Sequence, residues 1–225
     1  MFIFRSWELE KTPLKKIYSY SAILSVVTIF AGLFSISYLD QKITYLFRED
    51  DWKWLFAREI TNVGLFSNYF IAALTVLAIC FYLIKLKRVT HPKIHSVYRK
   101  SQVMIYSLLF SGLCLQFFKF LFGRQRPKIS PDFDPHAFYP FNTHWNFHSL
   151  PSGHTQVLFC VATFFSYYYP QKKYLFYSLA TALSFTRVMT RDHFFADVLI
   201  GALVGHLTCL WLFYFLSKKE SKLVF

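Results

Sequence analysis

The sequence predicts an all-α polytopic membrane protein, six transmembrane helices in one bundle. Composition is the first reason: 55% of the 225 residues are hydrophobic, 21% are aromatic and only 16% are charged, against roughly a quarter charged in soluble domains. The second is six apolar windows of membrane-crossing length. The third is a strong asymmetry of basic residues between alternate loops. The apolar content excludes a disordered chain, and four cysteines in 225 residues exclude a disulfide scaffold. No repeat, low-complexity tract or Pro/Gly-rich linker divides residues 1–225, so a single integral membrane domain is expected.

A window of roughly 20 residues crosses about 30 Å of hydrocarbon as helix. Such windows fall at about 18–39, 68–84, 102–122, 153–169, 174–190 and 194–216. The first follows basic residues but has no small-residue cleavage site and exceeds a signal h-region in length, so it reads as a retained span. Ser178, Thr181, Ser184 and Thr186 dilute the fifth. For the fourth and fifth the alternative is a re-entrant or core helical hairpin. Between the first two windows, Trp52, Trp54 and Phe56 stand among charges. That pattern fits either an interfacial helix lying on the bilayer or a solvated loop with aromatic anchors.

Short cytoplasmic loops collect Lys and Arg. The N-terminus, the 85–100 and 170–173 loops and the C-terminus together hold fifteen Lys and Arg against Glu8, Glu10 and Glu220, or +12. The opposite side holds ten basic and nine acidic residues, or +1, and the two sides make up the +13 of the whole chain. The excess is a positive-inside signal and not a nucleic-acid footprint. Both termini are expected in the cytoplasm. Cys80, Cys114, Cys160 and Cys209 lie apart in apolar stretches, without a C-x-x-C pair, and read as packing residues.

Ionisable residues at a membrane edge are costly and are therefore functional candidates. They gather in three patches, all on the +1 side. Lys119 and Arg126-Pro127 close the third window; Gly123, and the restriction proline places on the residue before it, should end the helix between them. Two cations then project from one helix end, as phosphate ligands or as a snorkelling belt. Pro151-Ser152-Gly153-His154 opens the fourth window, where free amides and the positive helix end suit an anion. His154 stands in that first turn, able to give or take a proton. The third patch runs from Thr186-Arg187 to His193 and Asp197. His193 and Asp197 are four apart, on one helix face. The carboxylate can accept the imidazole Nδ1–H and leave Nε2 as nucleophile or base, or the two can be merely a buried polar contact. His144, His148 and His154 could be grouped as metal ligands, but the nearest carboxylates, Asp132 and Asp134, lie upstream.

Taken together, Lys-x6-Arg-Pro, Pro-Ser-Gly-His and Thr-Arg-x5-His-x3-Asp, in this order over the third to sixth windows, resemble the type 2 phosphatidic acid phosphatase (PAP2) superfamily. Thr186 stands where that family usually has serine and keeps the hydroxyl. The resemblance implies a PAP2-like bundle and a metal-independent phosphatase without a cofactor. His193 would be the nucleophile, forming a phosphohistidine, with Asp197 orienting it. His154 would protonate the leaving oxygen and later activate water. Lys119, Arg126, Ser152, Gly153 and Arg187 would hold the phosphoryl oxygens.

A site at the outer membrane edge makes a lipid phosphate the expected substrate, with membrane lipids as the other partners. Small size and a Lys/Ile/Phe/Tyr-rich composition point to a bacterial inner membrane, with the site on the periplasmic face. The compact frame is similar to lipid A 1-phosphatases, and is also compatible with phosphatidylglycerophosphate and undecaprenyl-diphosphate phosphatases. Arg124 and Lys128 favour a polyanionic head group, or serve as interface anchors. The reading from another class is a transporter or lipid-binding protein that uses these cations without chemistry. Oligomeric state is not encoded legibly.

Overall fold

The computed structural model describes residues 12–47, 49 and 51–223, with side chains as far as Lys218. Arg5, Glu8, Glu10 and Lys11, counted above on the basic side, lie outside the described residues, as do the side chains of Lys219, Glu220 and Lys222. The described residues form helices α1 (Leu14–Tyr38), α2 (Asp40–Tyr45), α3 (Trp52–Thr61), α4 (Phe66–Lys85), α5 (Pro92–Phe122), α6 (Gly153–Tyr168), α7 (Lys173–Met189) and α8 (Phe195–Leu223). Among them the only β pairing is one isolated bridge, Arg124 with Phe138.

Each of the six windows is helical. Four helical stretches are long and apolar enough to cross a membrane: Leu14–Tyr38, Trp52–Lys85, Pro92–Phe122 and Phe195–Lys218. The fourth and fifth windows fold as α6 and α7, of only 16 and 17 residues. The polarity of α6 has a physical reason. α6 is the hub, packed by α5, α7 and α8, and ten of its sixteen residues are buried, Thr155, Gln156, Thr163 and Ser166 among them. A helix wrapped by protein can carry hydroxyls and amides that find partners across helices: Gln156 Nε2 donates to Ser111 Oγ at 2.6 Å, and Thr208 donates to the same Ser111 oxygen at 2.8 Å.

α5 starts ten residues before its window. Pro92 occupies a first-turn position, where its missing N–H costs nothing, and the His91 ring accepts the Lys93 amide. Its other end is set by Gly123, left-handed at φ 58°. A Cβ there would lie 1.7 Å from the Tyr139 carbonyl oxygen, so only glycine fits. α8 crosses α6 at Gly201 and Gly205, where a Cβ would stand 2.6 Å from Ser152 O and 2.1 Å from Gln156 O respectively. This close approach brings the N-terminal turn of α8 against that of α6.

The 40–67 segment combines parts of both alternatives. α3 is a helix, N-capped by Asp51, with Ala57 and Thr61 buried against the bundle and Trp52, Leu55 and Phe56 exposed. Deeper in the bundle, His206 joins four helices. Its Nε2 pairs with Tyr20 Oη at 2.9 Å, and its Nδ1 with Thr163 Oγ1 and Tyr177 Oη, each at 2.9 Å. Three of the four cysteines are buried, and Cys114 is partly so.

Candidate active site

The ends of α5 and α7 and the starts of α6 and α8 meet at one end of the bundle, and the three sequence patches meet with them. Lys119, one turn before Gly123, is 7% exposed and donates from Nζ to the His148 carbonyl at 3.0 Å. A Cβ on Gly153 would stand 3.8 Å from that Nζ, so the ammonium lies beside the start of α6. Arg126 is extended (φ −76°, ψ 145°), as the following proline demands. It donates from Nε to Trp145 O at 3.1 Å and from a terminal nitrogen to Asp192 O at 3.2 Å. Lys119 and Arg126 therefore do not share a helix face; they approach the same place from either side of the Gly123 turn.

α6 begins at Gly153 with Ser152 as its N-cap residue, so Pro151 stands one position ahead of the cap. The Ser152 amide is taken by Asp197 O at 2.9 Å, and its hydroxyl accepts from Thr155. The first-turn amides of α6, which have no acceptor within the helix, remain to face an anion. His154 is half-buried and packs on Gly64, where a Cβ would touch its Cδ2 at 3.1 Å. Arg187 donates to Thr61 Oγ1 at 2.9 Å and pairs with Asp192 Oδ2 at 2.9 Å, while its buried Nε–H lacks a partner among the described residues. Thr186 donates to Leu183 O at 2.6 Å. His154 and His193 both lie in the field of Lys119, Arg126, Arg187 and Asp192.

His193 is 2% exposed. Its Nδ1–H donates to the Ser149 carbonyl at 2.8 Å, which leaves the Nε2 lone pair free. Here the structure departs from the spacing argument. Asp197 is four residues on, but its Oδ2 stands 3.7 Å from Nδ1, beyond a hydrogen bond. The reason is competition for the carboxylate. Asp197 Oδ2 accepts Ser149 Oγ at 2.5 Å and the Phe194 amide at 2.9 Å, and Oδ1 pairs with Arg124 at 2.6 Å. Asp197 is thus linked to the imidazole through Ser149 and the 194 turn rather than directly. Burial first, then the charges of Arg126, Arg187 and Lys119, hold the His193 imidazole well below the ordinary histidine range, so it is neutral near pH 7. Burial opposes ionisation of Asp192, but Arg187 and then Lys128 outweigh it and keep that carboxyl well below the usual carboxylate range.

Arg124 does not reach a head group or the interface. It is fully buried, bridging Asp197 and Asp40 (2.7 Å), donating twice to Pro135 O, with its guanidinium 4.2 Å over the Phe194 ring. Asp40 in turn accepts Ser35 Oγ at 2.5 Å and the Ala196 amide at 3.0 Å. Asp40, Thr61, Ser149 and Asp192 were not singled out by the motifs. Among the described residues no group of three or more His, Cys, Asp or Glu side chains is arranged to hold a metal. His148 is bonded to Asn142 O at 2.8 Å and does not join His144 and His154.

The architecture is a bundle of helices, four stretches of them long and apolar enough to cross a membrane, with a cluster of histidines and cations at one end, the layout of a membrane phosphatase. The PAP2 superfamily model matches residues 102–221, more than half of the chain, and the chain belongs to that superfamily. A lipid A 1-phosphatase of Rhizobium johnstonii is 33% identical over 102 residues, 45% of this chain and 42% of the relative. One of Rhizobium etli is 34% identical over 99 residues, 44% and 43% of the two chains. The match spans less than half the length of either curated relative. A PAP2-type phosphatidylglycerolphosphate phosphatase from Bacillus subtilis has the same fold, with a TM-score of 0.53 and 20% identity over 91% of this chain and 97% of that one.

Proposed function

We propose that the chain is a lipid phosphatase that cleaves a phosphomonoester through a phosphohistidine at His193. The observation that carries this is a buried, neutral imidazole with its Nδ1 tied to Ser149 and its Nε2 free, in the field of Lys119, Arg126 and Arg187. Nε2 attacks phosphorus; the P–N bond forms as the P–O bond to the lipid breaks, and the departing oxygen takes a proton from His154. Neutral His154 then takes a proton from water, whose oxygen displaces His193 and releases orthophosphate. The three cations, the Arg187 Nε–H and the first amides of α6 hold the equatorial oxygens, the charge stabilisation that phosphoryl transfer requires. They supply what magnesium supplies elsewhere, so no divalent metal enters this scheme.

The substrate reading is lipid A 1-phosphate, supported by the names of the Rhizobium relatives; phosphatidylglycerophosphate and undecaprenyl diphosphate are the alternatives. A lipid is supported by an apolar cavity of about 510 Å³ between α1, α5 and α8, which Phe138 and Leu150 border next to the site. In this reading the six helices α1 and α4 to α8 span a bacterial inner membrane, and the charge asymmetry supports both termini in the cytoplasm and the site in the periplasm. Phosphate release from a panel of lipid phosphates in detergent, with EDTA present, is the test. Activity that vanishes in EDTA and returns with one metal contradicts the scheme, and no release from any lipid favours a non-catalytic lipid-binding role.

A further inference from the structure

Asp192, beside His193, is a carboxylate placed among phosphate ligands. Its Oδ1 pairs with Lys128 Nζ at 2.6 Å, and its Oδ2 with Arg187 at 2.9 Å and Thr190 Oγ1 at 2.9 Å. Its main-chain oxygen accepts from Arg126. Arg187 keeps a second anchor on Thr61 and a buried Nε–H without a partner among the described residues, so Asp192 does not use up that cation. Lys128 is different. Its side chain is 33% exposed at the rim, stacked at 5.0 Å on Trp145, and its ammonium is neutralised by Asp192. Arg191, next in sequence, lies instead over the Phe133 ring at 4.8 Å.

We propose that Asp192 is a specificity-determining residue that restricts the site to a single phosphoryl group by withholding Lys128 from a second one. The inference rests on the phosphatase reading above. A phosphomonoester brings a dianion, which Lys119, Arg126 and Arg187 can hold. A diphosphate monoester brings a further charged group, its inner phosphate, which must sit outside those three and needs a cation of its own. Lys128 is the next cation outward, and a fixed carboxylate 2.6 Å from its ammonium both occupies it and repels an incoming phosphate. This is selection by a built-in repulsion as much as by attraction.

The test compares kcat/KM for a prenyl monophosphate and the matching prenyl diphosphate on the full-length chain in detergent. Asp192→Asn should raise the diphosphate-to-monophosphate ratio by about tenfold, mainly through the diphosphate KM, as freeing one rim charge implies. Lys128→Gln should move the ratio the other way, since the carboxylate then lies uncompensated at the rim. Asp192→Asn combined with Lys128→Gln should lose the gain. Equal losses on both substrates in the two single variants would mean that Asp192 only braces Arg187, and would overturn the proposal, as would a ratio that does not move. Should Asp192→Asn fail to fold, Lys128→Gln still decides the direction. A wild-type chain that releases phosphate from no lipid of the panel refutes the phosphatase reading instead; if it cleaves a panel lipid but neither prenyl substrate, the same ratio is measured on the mono- and diphosphate of that lipid, and an active wild type with unmoved ratios refutes only the role of Asp192.

Discussion

At the residue scale the account depends on His193 being neutral with Nε2 free. His193→Ala should abolish turnover on every substrate, because the covalent step has no substitute. His154→Ala should cost far less on an aryl phosphate than on an alkyl phosphate, since a good leaving group needs little protonation; equal losses on the two would contradict the assignment. The depressed basicity of His193 has a direction in pH. Protonation silences the nucleophile, so the acid limb of kcat/KM should lie below the ordinary histidine value of about 6.5. Arg126 is the largest of the charges holding it down. Arg126→Gln should therefore shift that limb toward higher pH, whatever it does to KM, and a shift to lower pH would contradict the electrostatics. The three motifs were legible residue by residue because each is local in sequence. Arg124 was misread because its burial is decided by two carboxylates, Asp40 and Asp197, that reach it from 84 and 73 residues away. Arg124→Met leaves both uncompensated and should cost about 3–5 kcal/mol of stability, read as a large drop in Tm in detergent.

Helix ends and helix crossings were partly legible. Gly123 after Lys119 announces a helix stop, and the structure places one there; Gly201 and Gly205 carry the G-x-x-x-G spacing that permits a close helix crossing, but the partner is not local, because the atoms they make room for belong to Ser152 and Gln156 of α6. Gly205→Ala should force these helices apart at a cost of about 1–3 kcal/mol and, by loosening the Ser152–Asp197 backbone bond, lower kcat as well. The His206 cluster is the contrasting case. It ties α1, α6, α7 and α8 well away from the phosphate ligands, and each lost interhelical hydrogen bond in a membrane bundle costs about 0.6 kcal/mol. His206→Leu should lower Tm while kcat/KM holds; loss of activity at unchanged Tm would give the histidine a role in chemistry.

For the whole molecule, composition and the six windows predict the helices well; α6 is short and polar because a helix at the centre of the bundle need not be apolar, whereas α7 has only five of its seventeen residues buried. Composition and windows read the 40–67 segment only as an interfacial helix or a solvated loop, because its Asp40, Thr61 and Gly64 reach the site through tertiary contacts. Sidedness is a separate claim, argued from charge. In a background lacking the four cysteines, Cys substituted at Asp132 should react with an impermeant thiol reagent in intact cells, and at Lys93 should not; the reverse pattern inverts the topology. The most direct measurement of the central claim is to trap the covalent intermediate. His154→Ala, which should slow attack by water more than attack by His193 when the leaving group is an aryl oxide, is mixed with a ³²P-labelled aryl phosphate and quenched in alkali. The account predicts phosphate bound to the protein and mapped to His193. Label on another residue, or turnover with no protein-bound phosphate under single-turnover conditions, would contradict it.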